Sequence, residues 1–382
     1  MKKYKKKWFK SFIFRCFAGL IALVLLIVLP AVGLVKNNNL ELIYERFIGA
    51  KSEYQGIIEI WNIDTFEGGI SSKSKMLSQV ATKFQTQNKG IYFMVRNISE
   101  SECKNLLSSG QKPDLFSCSY GVAEMIKSEA SSFDFEPLIA NNLKVAGRDE
   151  FGVQKAVAWC LNVYCLMTTN DRLEKVGKDA NCKLIDVVFD CGYKTTNKQG
   201  EKIVWSVEFG CGKYLMPQKA LIAYYNNGGV SIFENSINGQ NVNQTTYSAY
   251  CNFVAGKSSV LLGTLRDVLR LKNRETNGKI SDLKFEVLTS FSDLVQFVLK
   301  CDDGNKTKQK YVDEFVKFLT GEVGQQIVCD GGLVSVIDDD KNLKKSGVMQ
   351  DIPPLKIESY EVFNVFLSKS EIEKLQRDLL IF

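Results

Sequence analysis

From residue 51 onward, short apolar runs typical of β-strands alternate with patterns typical of amphipathic helices. At 311–319, for example, Tyr311, Phe315 and Leu319 recur on one helical face. This alternation predicts an α/β fold, with parallel sheets whose strands are connected by helical crossovers. The strands predicted in this way are 57–63, 91–98, 115–118, 157–167, 258–262 and 285–288, and the helices include 76–84, 122–128 and 311–319.

The first predicted strand ends abruptly in polar residues. Its isoleucines stop at Asp64, Thr65 and Glu67, which precede two glycines. Because open α/β sheets bind ligands at the carboxyl edge of their strands, this loop is a candidate binding loop. Trp61 in the same strand has two interpretations: it stacks on a sugar face at the strand edge, or it packs in the core, where tryptophan is usually largely buried.

Three further segments, 113–121, 258–267 and 291–296, also place small, polar or charged residues near strand ends. Their candidate binding residues are Ser119, Tyr120, Arg266 and Asp293. Instead of binding a ligand, Arg266 could form a salt bridge with Asp267 or Asp293. Asp293 could instead cap a helix or a turn.

The basic charge of the chain is concentrated at its N-terminus. A length of 382 residues predicts two or three domains. Residues 1–15 contain seven lysines and arginines and no acid, whereas the whole chain has a net charge of +6. The remaining chain is therefore close to neutral, and the sequence predicts no nucleic-acid partner.

A segment without charges follows the basic tail. Residues 16–35 match the roughly 20 residues that span a bilayer core as a helix. The lysines before this segment predict that the body lies outside the cytoplasm. The competing interpretation is a cleaved secretory signal with a small-residue site at 31–33. No cysteine follows the apolar run, so a lipid-modified cysteine is not indicated.

The chain has 11 cysteines and no histidine. Cys160 and Cys165 lie in one predicted strand, about 16 Å apart, which is too far for a disulfide. Most of the other cysteines lie among apolar residues, which predicts small buried hydrophobic side chains.

Catalysis is poorly supported by the sequence. Without histidine there is no Ser-His-Asp triad and no histidine-ligated zinc. The segment 210–213 is neither a Walker loop nor a complete dinucleotide fingerprint. A carboxylate pair for glycoside hydrolysis could be drawn from Asp64, Glu67 and Asp293. The sequence predicts no catalytic residue, no metal site and no cofactor.

The order and spacing of several segments resemble a family 1 extracellular solute-binding protein, the carbohydrate-capturing subunit of an ABC importer. The segments that carry the resemblance are 58–69, 113–114, 157–170, 253–270 and 311–336. It implies a two-lobed periplasmic-binding-protein-like fold with hinge crossovers, and the uncharged segment 16–35 predicts an N-terminal transmembrane helix before that fold. Residues 1–50 are then the tail and anchor or signal, 51–158 with 263–297 form lobe 1, and 159–262 with 298–382 form lobe 2.

Sugar recognition needs flat aromatic faces and polar groups that pair with hydroxyls. The predicted stacking residues are Trp61, Tyr120, Trp159 and, as weaker candidates, Trp205 and Tyr214. The predicted hydrogen-bonding residues are Asp64, Glu67, Ser119, Arg266 and Asp293. The alternative for Trp159 is packing at the hinge, and for Trp205 it is packing inside lobe 2.

The resemblance implies that ligand in the cleft favours closure of the lobes, and that the closed protein docks on a membrane permease. The predicted partners are therefore a carbohydrate ligand, ABC permease subunits and the membrane, which residues 16–35 reach. Two rival interpretations share the fold: a membrane-anchored ligand sensor or scaffold, and an extracellular glycoside-acting enzyme.

Overall fold

The structure is a computed structural model. It describes residues 52–175, 177–184, 188, 194–196, 202–204, 206–210, 212–227, 240–243, 245–337, 343 and 347–380. The described residues form a small compact unit, 52–56 with 85–91, and a large unit, 57–84 with 92–380. In the small unit, the backbone N–H of Ser52 donates to the carbonyl of Lys89 at 2.9 Å. The candidate site lies in the large unit.

The first sheet has the strand order β2-β1-β3-β13-β4, with β5 paired to β13. Its strands are β1 (Gly56–Asn62), β2 (Ile91–Asn97), β3 (Leu115–Cys118), β4 (Ala130–Ser131), β5 (Ala156–Leu161) and β13 (Val295–Cys301). β1 is parallel to β3, with Trp61 opposite Phe116. β13 is antiparallel to β3 and to β5.

The second sheet has the order β10-β9-β11-β6-β12. Its strands are β6 (Tyr164–Thr169), β9 (Val207–Gly210), β10 (Gln240–Asn243), β11 (Val260–Thr264) and β12 (Leu283–Val287). β9 pairs in parallel with β10 and β11, whereas β6 is antiparallel to β11 and β12. β7 (Lys194–Thr196) and β8 (Lys202–Val204) form a separate antiparallel pair.

Helices lie between many of these strands, as the alternating pattern predicts, and others follow β13. They are α1 (Lys73–Gln87), α2 (Glu100–Ser108), α3 (Ala123–Ile126), α4 (Asn141–Ala146), α5 (Asn170–Lys175), α6 (Pro217–Asn227), α7 (Thr246–Val254), α8 (Leu265–Thr276), α9 (Lys306–Leu319), α10 (Glu322–Asp330) and α11 (Lys369–Leu380). In α9 the predicted apolar face is buried, and the Phe315 ring lies 5.6 Å from Phe84 and 4.4 Å from Phe93, centroid to centroid.

The predicted strand at 157–167 is two strands in two sheets. The break falls at Asn162 and Val163, where the Asn162 side chain accepts the backbone N–H of Val163 at 2.9 Å. This fully buried asparagine turns the chain out of the first sheet and into the second. A continuous apolar run does not reveal such a break, because both strands are buried along their full length.

The lobes, each built on one sheet, differ from the predicted division at two places. The segment 263–287 belongs to the second lobe, because β11 and β12 both pair with β6 and α8 connects them. The segment 295–330 belongs to the first lobe, because β13 lies in its sheet and α9 packs against it through Phe315. The crossings therefore fall at 162–163 and 288–294. Both sheets are mixed rather than parallel.

The predicted membrane segment at 16–35 lies outside the residues that the structure describes. Within the described ranges, no helix combines the length and the apolar character that crossing a bilayer requires.

Several cysteines in the described ranges carry free thiols, among them Cys103, Cys118, Cys160, Cys165 and Cys251. Cys118, Cys160 and Cys165 are completely buried. Burial raises the pKa of Cys160 and of Cys165 well above that of an exposed thiol. Burial likewise raises the pKa of Cys103 to about 11. These thiols behave as small apolar side chains with little thiolate character, as the sequence predicts.

Replacement of Phe315 should destabilise the first lobe strongly. Phe315→Ala removes a fully buried ring, so we expect a loss of about 3–5 kcal/mol in the free energy of unfolding, measured by urea denaturation. The control is Phe151→Ala, because Phe151 is 83% exposed and its loss should change stability by less than about 0.5 kcal/mol. Equal effects of the two substitutions would contradict the packing of α9 on the first sheet.

Thiol labelling tests the burial of the cysteines. In native buffer, iodoacetamide should label Cys251 first, because it is exposed, whereas Cys118, Cys160 and Cys165 should react after urea is added. Peptide mass mapping distinguishes these sites. Rapid native labelling of Cys160 would contradict the described core.

Candidate ligand-binding site

A cavity of about 620 Å³ lies between the two lobes. The loop that follows β1 lines one side, and residues that follow strands β9, β10 and β11 line the other. The lining residues are Asp64, Thr65, Phe66, Glu67, Gly68, Ile70, Ser71, Ser72, Gly212, Lys213, Leu215, Thr245, Thr246 and Arg266. We call this cavity the cleft. The predicted binding residues Asp64, Glu67 and Arg266 meet in it.

A buried polar network lies where the strands of the first sheet end. The Ser117 hydroxyl donates to Asn62 Oδ1 at 2.9 Å, and the Gln296 amide donates to the Ile63 carbonyl at 3.2 Å. The Asn62 amide in turn donates to Asp64 Oδ1 at 3.1 Å. Because unpaired polar groups are costly in a core, this network fixes the direction in which the chain leaves β1.

Lys73, the first residue of α1, contacts the loop that follows β1 and stabilises it. Its ammonium group donates to the Phe66 carbonyl at 2.6 Å and lies 3.2 Å from Asp64 Oδ1. Burial lowers the pKa of Lys73, while the nearby Asp64 carboxylate opposes that shift. A buried ammonium needs these partners, so the Asp64 carboxylate both pairs with Lys73 and lines the cleft.

Close packing of the loop after β1 requires a glycine at position 69. The Ile70 N–H donates to the Gly331 carbonyl at 2.7 Å, and a Cβ on Gly69 would lie 2.2 Å from that same oxygen. Gly69 therefore lets the loop pack directly against the turn after α10.

Glu67 makes ion pairs across the cleft. One oxygen of its carboxylate lies 3.2 Å from Arg266 and 3.5 Å from Arg270, both on α8 of the second lobe. Asp267, the third residue of α8, accepts the Thr264 N–H at 2.9 Å and caps the helix. Burial raises the pKa of Asp267 to about 6, against the opposing effect of the Thr264 hydrogen bond. The structure thus joins Arg266 to Glu67, whereas the predicted alternatives were Asp267 and Asp293.

A second bridge between the lobes is centred on Glu100, the first residue of α2. Its carboxylate accepts hydrogen bonds from Lys213 at 2.8 Å, from the Tyr214 hydroxyl at 2.8 Å and from Lys369 at 2.5 Å. Burial alone would raise the pKa of Glu100, but the hydrogen bonds from Lys213 and Lys369 lower it well below its usual range. The Gln376 amide of α11 donates to the Leu215 carbonyl at 3.1 Å. The C-terminal helix thereby reinforces the bridge.

The predicted stacking aromatics lie in the core. Trp61 is 1% exposed and its indole N–H donates to Glu59 at 2.8 Å, while Trp159 is 0% exposed and donates to Ser117 at 3.2 Å. Tyr120 is buried too, and its hydroxyl donates to the Phe363 carbonyl at 3.0 Å. The core-packing alternative describes these rings, because none of them presents a face to the cleft. Trp205 lies outside the described residues.

Two predicted hydrogen-bonding residues are also buried away from the cleft. Ser119 is 1% exposed. Asp293 is fully buried in the crossing segment, where it accepts the Tyr164 hydroxyl at 2.7 Å and the Met216 N–H at 2.6 Å. Burial raises the pKa of Asp293 to about 6, although both hydrogen bonds oppose the shift. Asp293 therefore ties the crossing to the second lobe.

The lining residues of the second lobe other than Arg266 were not predicted from the sequence. Lys213 lies in the segment 210–213, which matches no phosphate-binding motif. Thr245 caps α7, because its side chain accepts the Ser248 N–H at 3.1 Å. A threonine directly before a helical pattern is a recognisable N-cap, and that signal could have placed 245–246 at a strand-to-helix turn.

Comparisons with known proteins give similarity of fold alone. No protein-family model matches the sequence. No curated protein matches it.

Solved structures are similar to this chain over most of its length. The GacH receptor of Streptomyces glaucescens, studied unliganded and with acarbose, has a TM-score of 0.59 and 13% identity, covering 86% of this chain and 94% of that chain. A family 1 extracellular solute-binding protein from Bifidobacterium longum subsp. infantis has a TM-score of 0.53 and 16% identity, covering 85% and 94%. Iron-bound HitA from Pseudomonas aeruginosa has a TM-score of 0.53 and 14% identity, covering 85% and 99%.

The chain thus has the two-lobed α/β fold of solute-binding proteins, as the sequence resemblance predicts. Its structural neighbours include solute-binding proteins of family 1, and they are binding proteins rather than enzymes. In the part of the chain that the structure describes, no group of three or more cysteine, aspartate or glutamate side chains is placed to hold a metal ion.

The raised pKa of Asp293 should make the stability of the protein depend on pH. Between the unfolded pKa of 3.8 and the folded value of about 6, the folded protein holds a proton that the unfolded chain releases. Stability should therefore fall as the pH rises through this window, by up to about tenfold in the unfolding constant per pH unit. Asp293→Asn should remove that contribution, so its stability relative to wild type should increase from pH 4 to pH 6.

Urea denaturation of both proteins across pH 4–8 measures this difference. The control is Asp378→Asn, which alters an exposed carboxyl on α11. A difference between wild type and Asp293→Asn that stays constant with pH would contradict the shifted pKa.

Proposed function

We propose that this chain is the extracytoplasmic solute-binding protein of an ABC importer, which captures a sugar or oligosaccharide between its lobes and delivers it to a membrane permease. The observation that carries the proposal is a cleft of about 620 Å³ lined by residues from both lobes. That volume is within the range of roughly 300–1,000 Å³ common for small-molecule sites. A ligand that contacts both lobes favours the closed arrangement in proportion to its differential affinity.

The chemistry of the cleft suits a hydroxylated solute. Five hydroxyl side chains line it, together with the charged groups of Asp64, Glu67, Lys213 and Arg266. Among its described lining residues, Phe66 is the one aromatic, and it is 6% exposed. Capture would therefore rely on hydrogen bonds rather than on stacking. The five hydroxyl residues are Thr65, Ser71, Ser72, Thr245 and Thr246.

The proposed attachment to the membrane is based on the sequence of residues 1–35. Residues 16–35 would anchor the body outside the cytoplasm, and the lysines of 1–15 would bind the anionic inner leaflet at about 1 kcal/mol per residue near the surface. Hydrolysis of ATP would take place in separate cytoplasmic subunits, so this chain needs neither a nucleotide nor a cofactor.

Ligand binding can be screened on the full-length protein in mild detergent. Thermal shift against neutral sugars, acidic sugars and oligosaccharides should identify a solute that stabilises the fold by about 2.7 kcal/mol at 100 times its dissociation constant. Ser72→Ala in one lobe and Thr246→Val in the other should each weaken its binding about fivefold, because each removes a hydrogen bond worth about 1 kcal/mol.

The matched controls are Ser109→Ala and Thr276→Val, which alter exposed residues that do not line the cleft. Binding that depends on one lobe alone would contradict capture by closure. Release of reducing sugar from an oligosaccharide panel would instead support the glycoside-acting enzyme.

A further inference from the structure

Three helices begin at the cleft. Ser71 and Ser72, directly before α1, line it, as do Thr245 and Thr246 at the start of α7 and Arg266 in the first turn of α8. These helices are 15, 9 and 12 residues long. The first turns of α1 and α7 contain no acidic residue. Helix N-termini carry partial positive charge and unpaired N–H groups, which favour an anion.

The ion pairs at the two edges of the cleft leave cationic groups in excess. Glu67 is shared by Arg266 and Arg270, and Arg270 Nη1 is buried without a hydrogen-bond partner among the described residues. Glu100 is shared by Lys104, Lys213 and Lys369. One carboxylate cannot neutralise two or three cations, so both edges remain positive.

The carboxylates that line or adjoin the cleft do not reverse this balance. Asp64 is paired with the buried ammonium of Lys73, and Asp267 caps α8 and lies 3.6 Å from Arg270. Counting these groups with those at the edges gives four carboxylates, Asp64, Glu67, Glu100 and Asp267, and six cations, Lys73, Lys104, Lys213, Arg266, Arg270 and Lys369.

A hydroxyl group in the cleft also lacks a partner. Ser71 Oγ is buried and has no hydrogen-bond partner among the described residues. Ser71 is the second residue before α1. A hydroxyl can donate to an anionic oxygen or accept from a sugar hydroxyl, so it suits a ligand that has both.

We infer that the solute captured here is a small hydroxylated anion, a sugar that bears a carboxylate or a phosphate group. Its anionic group would lie between Lys213, Arg266 and the helix N-termini, and its hydroxyls would pair with the serines and threonines of the cleft. This inference rests on the proposed function and specifies its ligand. Closure around a neutral sugar would bury the excess positive charge without compensation, which is costly.

The test compares matched ligands on the full-length protein by isothermal titration calorimetry. Glucuronate and galacturonate represent the carboxylate, glucose 6-phosphate represents the phosphate, and glucose and galactose are the neutral controls. We expect at least one anion to bind at least about tenfold more tightly than its neutral counterpart, with an affinity that falls as sodium chloride increases.

Two variants test the anion-binding groups. Arg266→Gln and Lys213→Gln should each lower the affinity for that anion about tenfold, because each removes a charge-assisted hydrogen bond. Lys213 is 67% exposed at its side chain, so its substitution does not threaten the fold. The matched control is Arg148→Gln, which alters a residue of the first lobe outside the cleft.

Each outcome bears on a different claim. Equal or tighter binding of glucose or galactose, with no effect of salt, would overturn the inference and leave the proposed sugar-binding function in place. Absence of binding by these sugars and by the oligosaccharides of the thermal-shift panel would overturn both. Binding of inorganic phosphate as tightly as of the sugar acids would overturn the role of the hydroxyl groups.

Discussion

The sharing of one carboxylate between two guanidinium groups is the constraint on which the cleft depends. Glu67 leaves the end of the first sheet and contacts Arg266 and Arg270 on the first turns of α8 in the other lobe. This contact sets the distance between the lobes on one side of the cleft, and the Glu100 bridge sets it on the other. Both bridges carry more cations than carboxylates. The same residues that define the separation of the lobes therefore also give the cleft its positive potential.

The rigidity that this arrangement needs comes from polar groups buried where the strands end. Asn62, Ser117 and Gln296, on three neighbouring strands, bond to one another beneath the binding loop. At the crossings, the side chains of Asn162 and Asp293 accept hydrogen bonds from backbone N–H groups, and they thereby fix the segments that connect the two sheets. Hydrogen bonds of this kind contribute modestly to net stability but are costly to leave unpaired, so they specify one geometry. The ends of these strands are thus fixed, and the loops that follow them line the cleft.

Periodicity predicted much of the fold and little of the site. β3 and the buried face of α9 were predicted closely, because apolar residues at a regular spacing report burial directly. The same signal failed at 157–167, where two buried strands follow each other with no break in the apolar pattern, and at β13, whose buried sequence contains Gln296 and Lys300.

Trp61 and Trp159 show why the site was harder to predict than the fold. An aromatic near a strand end has the same sequence pattern whether its ring faces the cleft or the core. Contacts with residues distant in sequence decide between the two, such as the packing of Phe116 against Trp61. Asp64, Glu67 and Arg266 could be predicted because loops after strand ends are where charged groups remain accessible.

The ion pairs of Glu67 are weak compared with the binding of a solute. The side chains of Glu67, Arg266 and Arg270 are each about one-third exposed, at 34%, 27% and 27%. Ion pairs with this degree of exposure contribute roughly 0–1 kcal/mol each, because water and salt screen them. A solute with a micromolar dissociation constant supplies about 8 kcal/mol. The free energy of ligand binding would therefore exceed that of the Glu67 ion pairs, so occupancy of the cleft, rather than these ion pairs, would decide whether the lobes stay together on this side.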